Sequence, residues 1–353
     1  MAQKVKLSTI ADALGLSTAT VSLALRDSPL VAGVTRERIK EAARDLGYIY
    51  NRRAASLRTS KSGILGVCVH DVMNPFFGEI LRSIEDELDR HRQTFILCNH
   101  QDQLQKQRSF VDTMLQLGAD GLILSPSLGT PASDIHLAEE NDLPVVLIAR
   151  TIEGAGVLGF RGDDAYGMGL AVDHLIARGH RRIAMIGGTA ATSTGRERER
   201  GYRAALERAG IAFRPEWRIK GPRNRHSGFD AAAGFIAIPD RPTAAVCFSD
   251  LVALGFMYGL SRGGLRPGVD IAVVGYDDID EAVIAMPSLT TVANGQSEVG
   301  RRAARAIIER LDGKPAADET ILIHPELKIR QSCGYVWPDA CATPHTHSAK
   351  EAP

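Results

Sequence analysis

The sequence predicts an α/β protein with an N-terminal helix-turn-helix head followed by two doubly wound parallel-sheet subdomains. Three observations point there. Residues 4–48 carry three short sets of apolar residues at helical spacing. From residue 63, strand-like apolar runs alternate with helical stretches, the pattern of βαβ units. That alternation restarts after residue 160, which implies a second unit. A chain of 353 residues has room for all three bodies.

In the head, Leu7, Ile10, Ala11 and Leu14 recur at helical spacing until Gly15 breaks the run. Ser17 is placed to cap a second helix, Thr18 to Leu25, that buries Val21 and Leu25. Thr35 is expected to cap a third, with Ile39, Ala42, Ala43 and Leu46 inward and Gly47 as its stop. A helix-turn-helix needs a small residue where the helices meet, a turn glycine and an apolar anchor on the second helix. Ala11, Gly15 and Val21 fill those places. The second helix then offers Ser17, Thr18, Ala19, Thr20, Ser22 and Leu23, small enough for a major groove. The same segment also fits a three-helix bundle with no DNA role.

Residues 1–50 are therefore the head, and the polar, basic stretch 51–62 is a linker or hinge. The core spans 63–335. Its strands are expected at 64–69, 95–99, 121–125 and 145–149, then at 182–188, 244–248 and 271–276. Helices are expected near 78–91, 165–178, 198–209, 251–262 and 296–311, with the last of these and ILIHPELKIR closing the second subdomain. The tail 336–353 has no periodicity and reads as disordered.

Charge is unevenly placed. Residues 1–61 hold four Lys and seven Arg against three Asp and two Glu, a surplus of six positive charges. Because the whole chain sums to zero, the remainder carries six negative ones. A basic head on an acidic body suits a nucleic-acid-binding head. The five cysteines, Cys68, Cys98, Cys247, Cys333 and Cys341, are never spaced as CxxC, which argues against a disulfide framework or a zinc site. No apolar run reaches the roughly 18–20 residues of a membrane span, and the first residues lack a secretory signal, so a cytoplasmic location is expected. An enzyme is disfavoured: there is no strand-linked GxGxxG, no GxSxG elbow, no Walker loop and no HExxH. No cofactor or metal is implied. A transport or chemosensory binding protein would have the same two-subdomain core, but it leaves residues 1–60 without a role.

From Val5 to Tyr335 the chain resembles the lactose-repressor/purine-repressor family. The carrying segments are TIADALGLSTATVSLAL, TRERIKEAARDLGYIYN, RRAASLR, NPFFGEI, GADGLIL, LIARGHRRIAMIGG, GFMYGLSRGG after FSD, and VVGYDDID with SLTTV. The resemblance implies a periplasmic-binding-protein-like core that clamps a small effector, and a homodimer, with a tetramer left open, on operator DNA away from any membrane. It also implies a hinge helix that orders on DNA. Leu57 stands where relatives insert a leucine into the minor groove, with Ala54 at a preceding matching position and Asn51 and Arg58 beside them.

For the effector, open α/β sheets bind at the carboxyl ends of their strands, so the loops after 69, 99, 125, 149, 188, 248 and 276 are the candidates. Asn74, Phe76, Phe77, Arg150, Arg196, Arg223, Asp250 and Asp277 are the expected contacts. Phe77 reads equally well as core. Asp277 matches the family's pocket carboxylate, and Arg196 matches a pocket arginine in one of two alignments. Arg198 and Arg200 read as a solvated helix face. Relatives place an acid where Ala149 stands and often an aromatic ring where Arg223 stands, which makes a cationic cleft and a sugar, sugar acid or sugar phosphate the expectation. The helix from residue 78 and its counterpart in the second subdomain are the expected dimer surface.

Overall fold

The computed structural model describes residues 5–49, 61–315 and 317–334. They form two compact units that divide between Ser62 and Gly63. The hinge positions Asn51, Ala54, Leu57 and Arg58, and the tail 336–353, lie outside the described residues.

In the head, α1 (Leu7–Leu14) ends at Gly15, whose φ of 66° is the left-handed geometry that glycine adopts without a Cβ penalty. Ser17 caps α2 (Thr18–Leu25), its Oγ accepting the Thr20 amide at 3.1 Å. The two helices meet at 109°, within the roughly 90–120° of a helix-turn-helix. The third helix, α3 (Gly33–Asp45), begins two residues before Thr35, and Ala32 rather than Thr35 sits at its N-cap. Ile10, Ala11, Val21, Ala24, Val31, Ile39 and Ala43 form the core. Leu25 and Ala42 only flank it. Leu46, expected inward, is exposed because the helix stops at Asp45 and Leu46 is its C-cap.

The core unit runs β1 (Ile64–Val69), α4 (Pro75–Arg90), β2 (Thr94–Asn99), α5 (Leu104–Leu117), β3 (Gly121–Leu124), α6 (Ala132–Glu140), β4 (Val145–Ile148) and β5 (Gly159–Gly162). It continues through α7 (Asp164–Ala177), β6 (Ile183–Ile186), α8 (Ser193–Arg208), β7 (Arg218–Ile219), α9 (Arg225–Ile236), β8 (Ala244–Cys247) and α10 (Asp250–Arg262). Then come β9 (Ala272–Tyr276), α11 (Asp280–Ile284), β10 (Thr290–Ala293), α12 (Gln296–Leu311), β11 (Thr320–Ile323) and β12 (Glu326–Lys328).

These strands make two six-stranded sheets. The first has the order β11-β5-β4-β3-β1-β2 and is parallel throughout. The second has the order β12-β10-β9-β8-β6-β7, with only β12 antiparallel. Each is covered on both faces. Residues of α4 and α12 pack on one side of the first sheet and those of α5 and α6 on the other. Around the second sheet, α7 and α8 oppose α9 and α10.

The end of the chain departs from expectation. Helix α12 and strand β11 do not close the second subdomain. Val299, Ala303, Ile307 and their neighbours on α12 bury against the first sheet, and β11 pairs with β5. Only β12 returns to the second sheet, beside β10. The chain therefore crosses between subdomains three times, at 162–164, 294–295 and 324–325. Two crossings touch: a Cβ on Gly162 would lie 2.9 Å from the Asn294 Cβ. No single helix among the described residues is long and apolar enough to cross a membrane.

Candidate functional site

Two sites emerge, one in each unit. On α2 the side chains of Ser17, Thr18 and Ala19 are exposed. Thr20 is half-buried, its Oγ1 2.8 Å from the Ser17 Oγ. Leu23 is half-buried against the head's core. Ser22, expected on the groove face, is instead 6% exposed, and Arg26 folds back so that its Nε donates to the Ser22 carbonyl at 3.1 Å. The displayed surface of α2 is therefore its first turn plus the exposed Arg26, a residue that sequence reasoning passed over.

In the core, a cleft of about 750 Å³ lies between the carboxyl ends of the two sheets. Each sheet reverses its strand order there, at β1/β3 and at β6/β8, so the loops diverge and leave a crevice. Asn74 caps α4 with its Oδ1 on the Phe76 amide at 3.1 Å, which places Phe76 on the cleft wall. Phe77 touches the same wall but is 1% exposed and packs edge-on to His70 and Phe76, so it is mainly core. From the other subdomain comes Phe248. A Cβ on Gly188 would lie 2.1 Å from its ring, so the glycine after β6 makes room for this second apolar wall.

Arg198 stands at the cleft floor, side chain 5% exposed. It is not on a solvated helix face. Arg198, Tyr202 and Ala205 follow one another at helical spacing on the buried side of α8. Its Nε donates to Asp164 at 2.8 Å, its Nη2 lies 3.5 Å from Asp277, and its Nη1 donates to the Phe248 carbonyl. The guanidinium also stacks 3.7 Å from the Tyr276 ring centroid. Burial opposes its charge, but Asp164 and Asp277 outweigh that and push its pKa up. Burial drives the Asp277 carboxyl well above its ordinary range despite Arg198. Asp277 has a φ of 116°, held by its amide on the Val292 carbonyl at 2.8 Å and by Gln296 donating to its own carbonyl at 2.6 Å. Two buried polar atoms of floor residues have no partner among the described residues: Arg161 Nε and Asn294 Oδ1.

At the other end of the cleft Asp102 receives two arginines. Arg150, 5% exposed, grips it through Nη1 at 2.5 Å and Nη2 at 3.1 Å, and also donates to the Pro126 carbonyl at 2.7 Å. Arg223 reaches it from the second subdomain at 2.5 Å, so this ion pair spans the cleft. Burial pushes Asp102 up, but the Arg150 bond and the charges around it hold it well below the carboxylate range. Beside them, burial and both arginines hold His70 well below its ordinary pKa. Asp102 supplies the acid that Ala149 does not, which makes the cleft less cationic than expected. Five cations, Arg150, Arg161, Arg198, Lys220 and Arg223, face four carboxylates, Asp71, Asp102, Asp164 and Asp277.

Two further expectations are corrected. Asp250 does not reach the cleft. It is fully buried beneath it, accepting from Thr291 Oγ1 at 2.5 Å and from the Ile279 amide at 3.0 Å. Arg196 points away from the floor, because two residues along a helix is about 200° of rotation from Arg198. It is exposed and lines a separate, smaller pocket. Among the described residues no group of three His, Cys, Asp or Glu side chains is placed to hold a metal.

Comparison with known proteins follows the same two-part division. Residues 6–51 match the model for bacterial regulatory proteins of the lacI family, and residues 172–333 match a periplasmic binding protein-like domain. The HTH-type transcriptional repressor PurR of Photobacterium profundum is 33% identical over 324 residues, covering 92% of this chain and 97% of that one. Among solved structures, the lac repressor dimer bound to operator and the anti-inducer ONPF superimposes with a TM-score of 0.83 at 25% identity, covering 94% and 99% of the two chains. The transcriptional regulator CelR in complex with cellobiose gives a TM-score of 0.70 at 28% identity, over 93% and 100%. With a helix-turn-helix head, a periplasmic-binding-protein-like core and a repressor relative matched over nearly its full length, the chain belongs to the lacI family of bacterial regulatory proteins.

Proposed function

We propose that this regulator is a cytoplasmic repressor that binds a pseudo-palindromic operator as a homodimer, and that a small polyhydroxylated ligand in the cleft sets its operator affinity. The observation that carries the ligand reading is the cleft floor. Arg161 Nε and Asn294 Oδ1, without partners among the described residues, sit beside the Arg198–Asp277 pair, with Phe76 and Phe248 on the walls. Alternating donors and acceptors suit hydroxyl groups, and the rings suit the C–H face of a sugar. No catalytic role is assigned to any of these residues.

In the DNA reading, the first turn of α2 enters the major groove, and Asn51, Ala54, Leu57 and Arg58 form the hinge, with Leu57 as the minor-groove wedge. One head reads too few base pairs for a genome, so two are needed. The exposed faces of α4 and α8 are charged, whereas apolar side chains stand exposed on and beside α10 and α11: Tyr258, Val283, Ile284 and Met286. We assign the dimer surface of the second subdomain to that patch. Sedimentation of Met286→Asp alongside wild type tests it. A dissociated variant that loses operator binding is the expected result, and an unchanged dimer excludes this patch.

A ligand with an anionic group is the second reading, favoured by one observation: Arg150 and Arg223 share a single carboxylate and leave one positive charge over. Calorimetry with a neutral sugar, its phosphate and its acid, on wild type and on Arg223→Ala, separates the two. Tightest binding of the neutral sugar, unaffected by the substitution, selects the neutral ligand. Preference for the charged forms, lost in the variant, selects the anion.

A further inference from the structure

A second pocket, of about 280 Å³, shares Arg150 with the cleft but is otherwise built from the loop after β3, residues 151–153 and the start of α8. We propose that it is a separate oxyanion site that takes a phosphate group, either free phosphate or that of a small phosphate ester. Ser127 lines it and is 5% exposed. The Ser127 amide donates to Gln107 at 2.7 Å and its carbonyl accepts from Thr130 at 2.9 Å, yet its Oγ has no partner among the described residues. A buried hydroxyl left this way is unfavourable, and a ligand oxygen would satisfy it.

Independent donors converge on the same space. Helix α8 starts there, and its cap, Thr192 Oγ1, takes the Gly195 amide at 3.0 Å. Among the described residues no acceptor takes the amide of Ser193 in that first turn. Arg196, one turn in, donates only to the Ala190 carbonyl at 3.3 Å, and no carboxylate pairs with it among the described residues. Arg150 adds little, because Asp102 already holds its charge. Among the described lining residues one carboxylate opposes an anion, Glu153, exposed on the rim, and Asp102 stands behind the wall, accepting from the Leu128 amide at 3.3 Å. A phosphate here would touch Ser127 from the first subdomain and Arg196 from the second, and it would leave the cleft free.

The test is calorimetry of the full-length protein with inorganic phosphate and, separately, with glycerol 3-phosphate. Saturable binding of one ion per chain is expected. Arg196→Gln should weaken it by about tenfold or more, the loss of a charge-assisted contact. Ser127→Ala should weaken it by a smaller factor and Glu153→Gln should strengthen it. Because Arg196 is exposed, its variant should melt with the wild type. Arg223→Ala, in the cleft, should leave phosphate binding unchanged. Tighter binding of the ester assigns the ligand as an ester, and equal affinities assign free phosphate. Absence of saturable binding overturns the proposal. So does binding that survives Arg196→Gln, which would place the anion on the basic head, or binding lost in Arg223→Ala alone, which would place it in the cleft.

Discussion

At the cleft floor one guanidinium, Arg198, faces two carboxyl groups, Asp164 and Asp277, all three nearly excluded from solvent. Removing one member of a buried ion pair leaves an uncompensated charge, so Arg198→Ala should lose about 3–5 kcal/mol of stability in urea unfolding, and ligand response with it. A loss below about 1 kcal/mol would mean that solvent screens the site. Asp250 gives a pH signature. Burial raises its pKa to about 6, against 3.8 as the ordinary value. Between those values the folded state holds a proton that the unfolded state has released, so stability falls as pH rises from about 4 to about 6 and levels off above. Asp250→Asn should remove that slope, because an amide can still accept from Ile279 and donate to Thr291. Parallel stability–pH curves for wild type and variant would contradict the shift. At this scale the sequence was legible for Asn74, Phe76, Arg150, Arg223 and Asp277, all of which line the cleft. It misled at Arg196 and Arg198, because charge alternation in RERER hides which arginine shares a face with Tyr202. That signal was present in the spacing. Asp102 gave none: its role depends on two arginines 48 and 121 residues away.

Among the elements, strands and helices with strong periodicity were readable to within a few residues, since a parallel strand buried on both faces is a near-continuous apolar run. Strands without such a run were not: β5 (GFRG), β7 (RI) and β10 (TTVA) hold few apolar residues and are set by their neighbours. The three crossings were invisible for a different reason. Helix α12 carries an apolar stripe that either sheet could bury, and only the space left beside α4 decides between them. The hinge is the element whose role is inferred from family resemblance, and it has its own test. If Leu57 wedges open a base step, Leu57→Ala should weaken operator binding by at most a few kcal/mol while leaving non-specific binding, which depends on phosphate contacts, almost unchanged. Equal losses on operator and random DNA, read by fluorescence anisotropy at one salt concentration, would rule the wedge out.

For the whole molecule, the basic head and acidic body divide the work of attraction and control. Phosphate contacts through the head make DNA affinity fall with salt, whereas the cleft sets five basic side chains against four carboxyl groups. Control then rests on linkage: a ligand that binds the two subdomains in one relative arrangement better than in another shifts the chain between states of different DNA affinity. The Asp102–Arg223 pair spans the cleft and is a contact such a shift would make or break. Operator affinity measured with and without a cleft ligand found by thermal-shift screening of sugars tests this linkage. A ligand-induced change of about fivefold to 150-fold in DNA affinity is expected, mirrored by an equal change in ligand affinity when operator is bound. A ligand that occupies the cleft and leaves DNA affinity unchanged would contradict it.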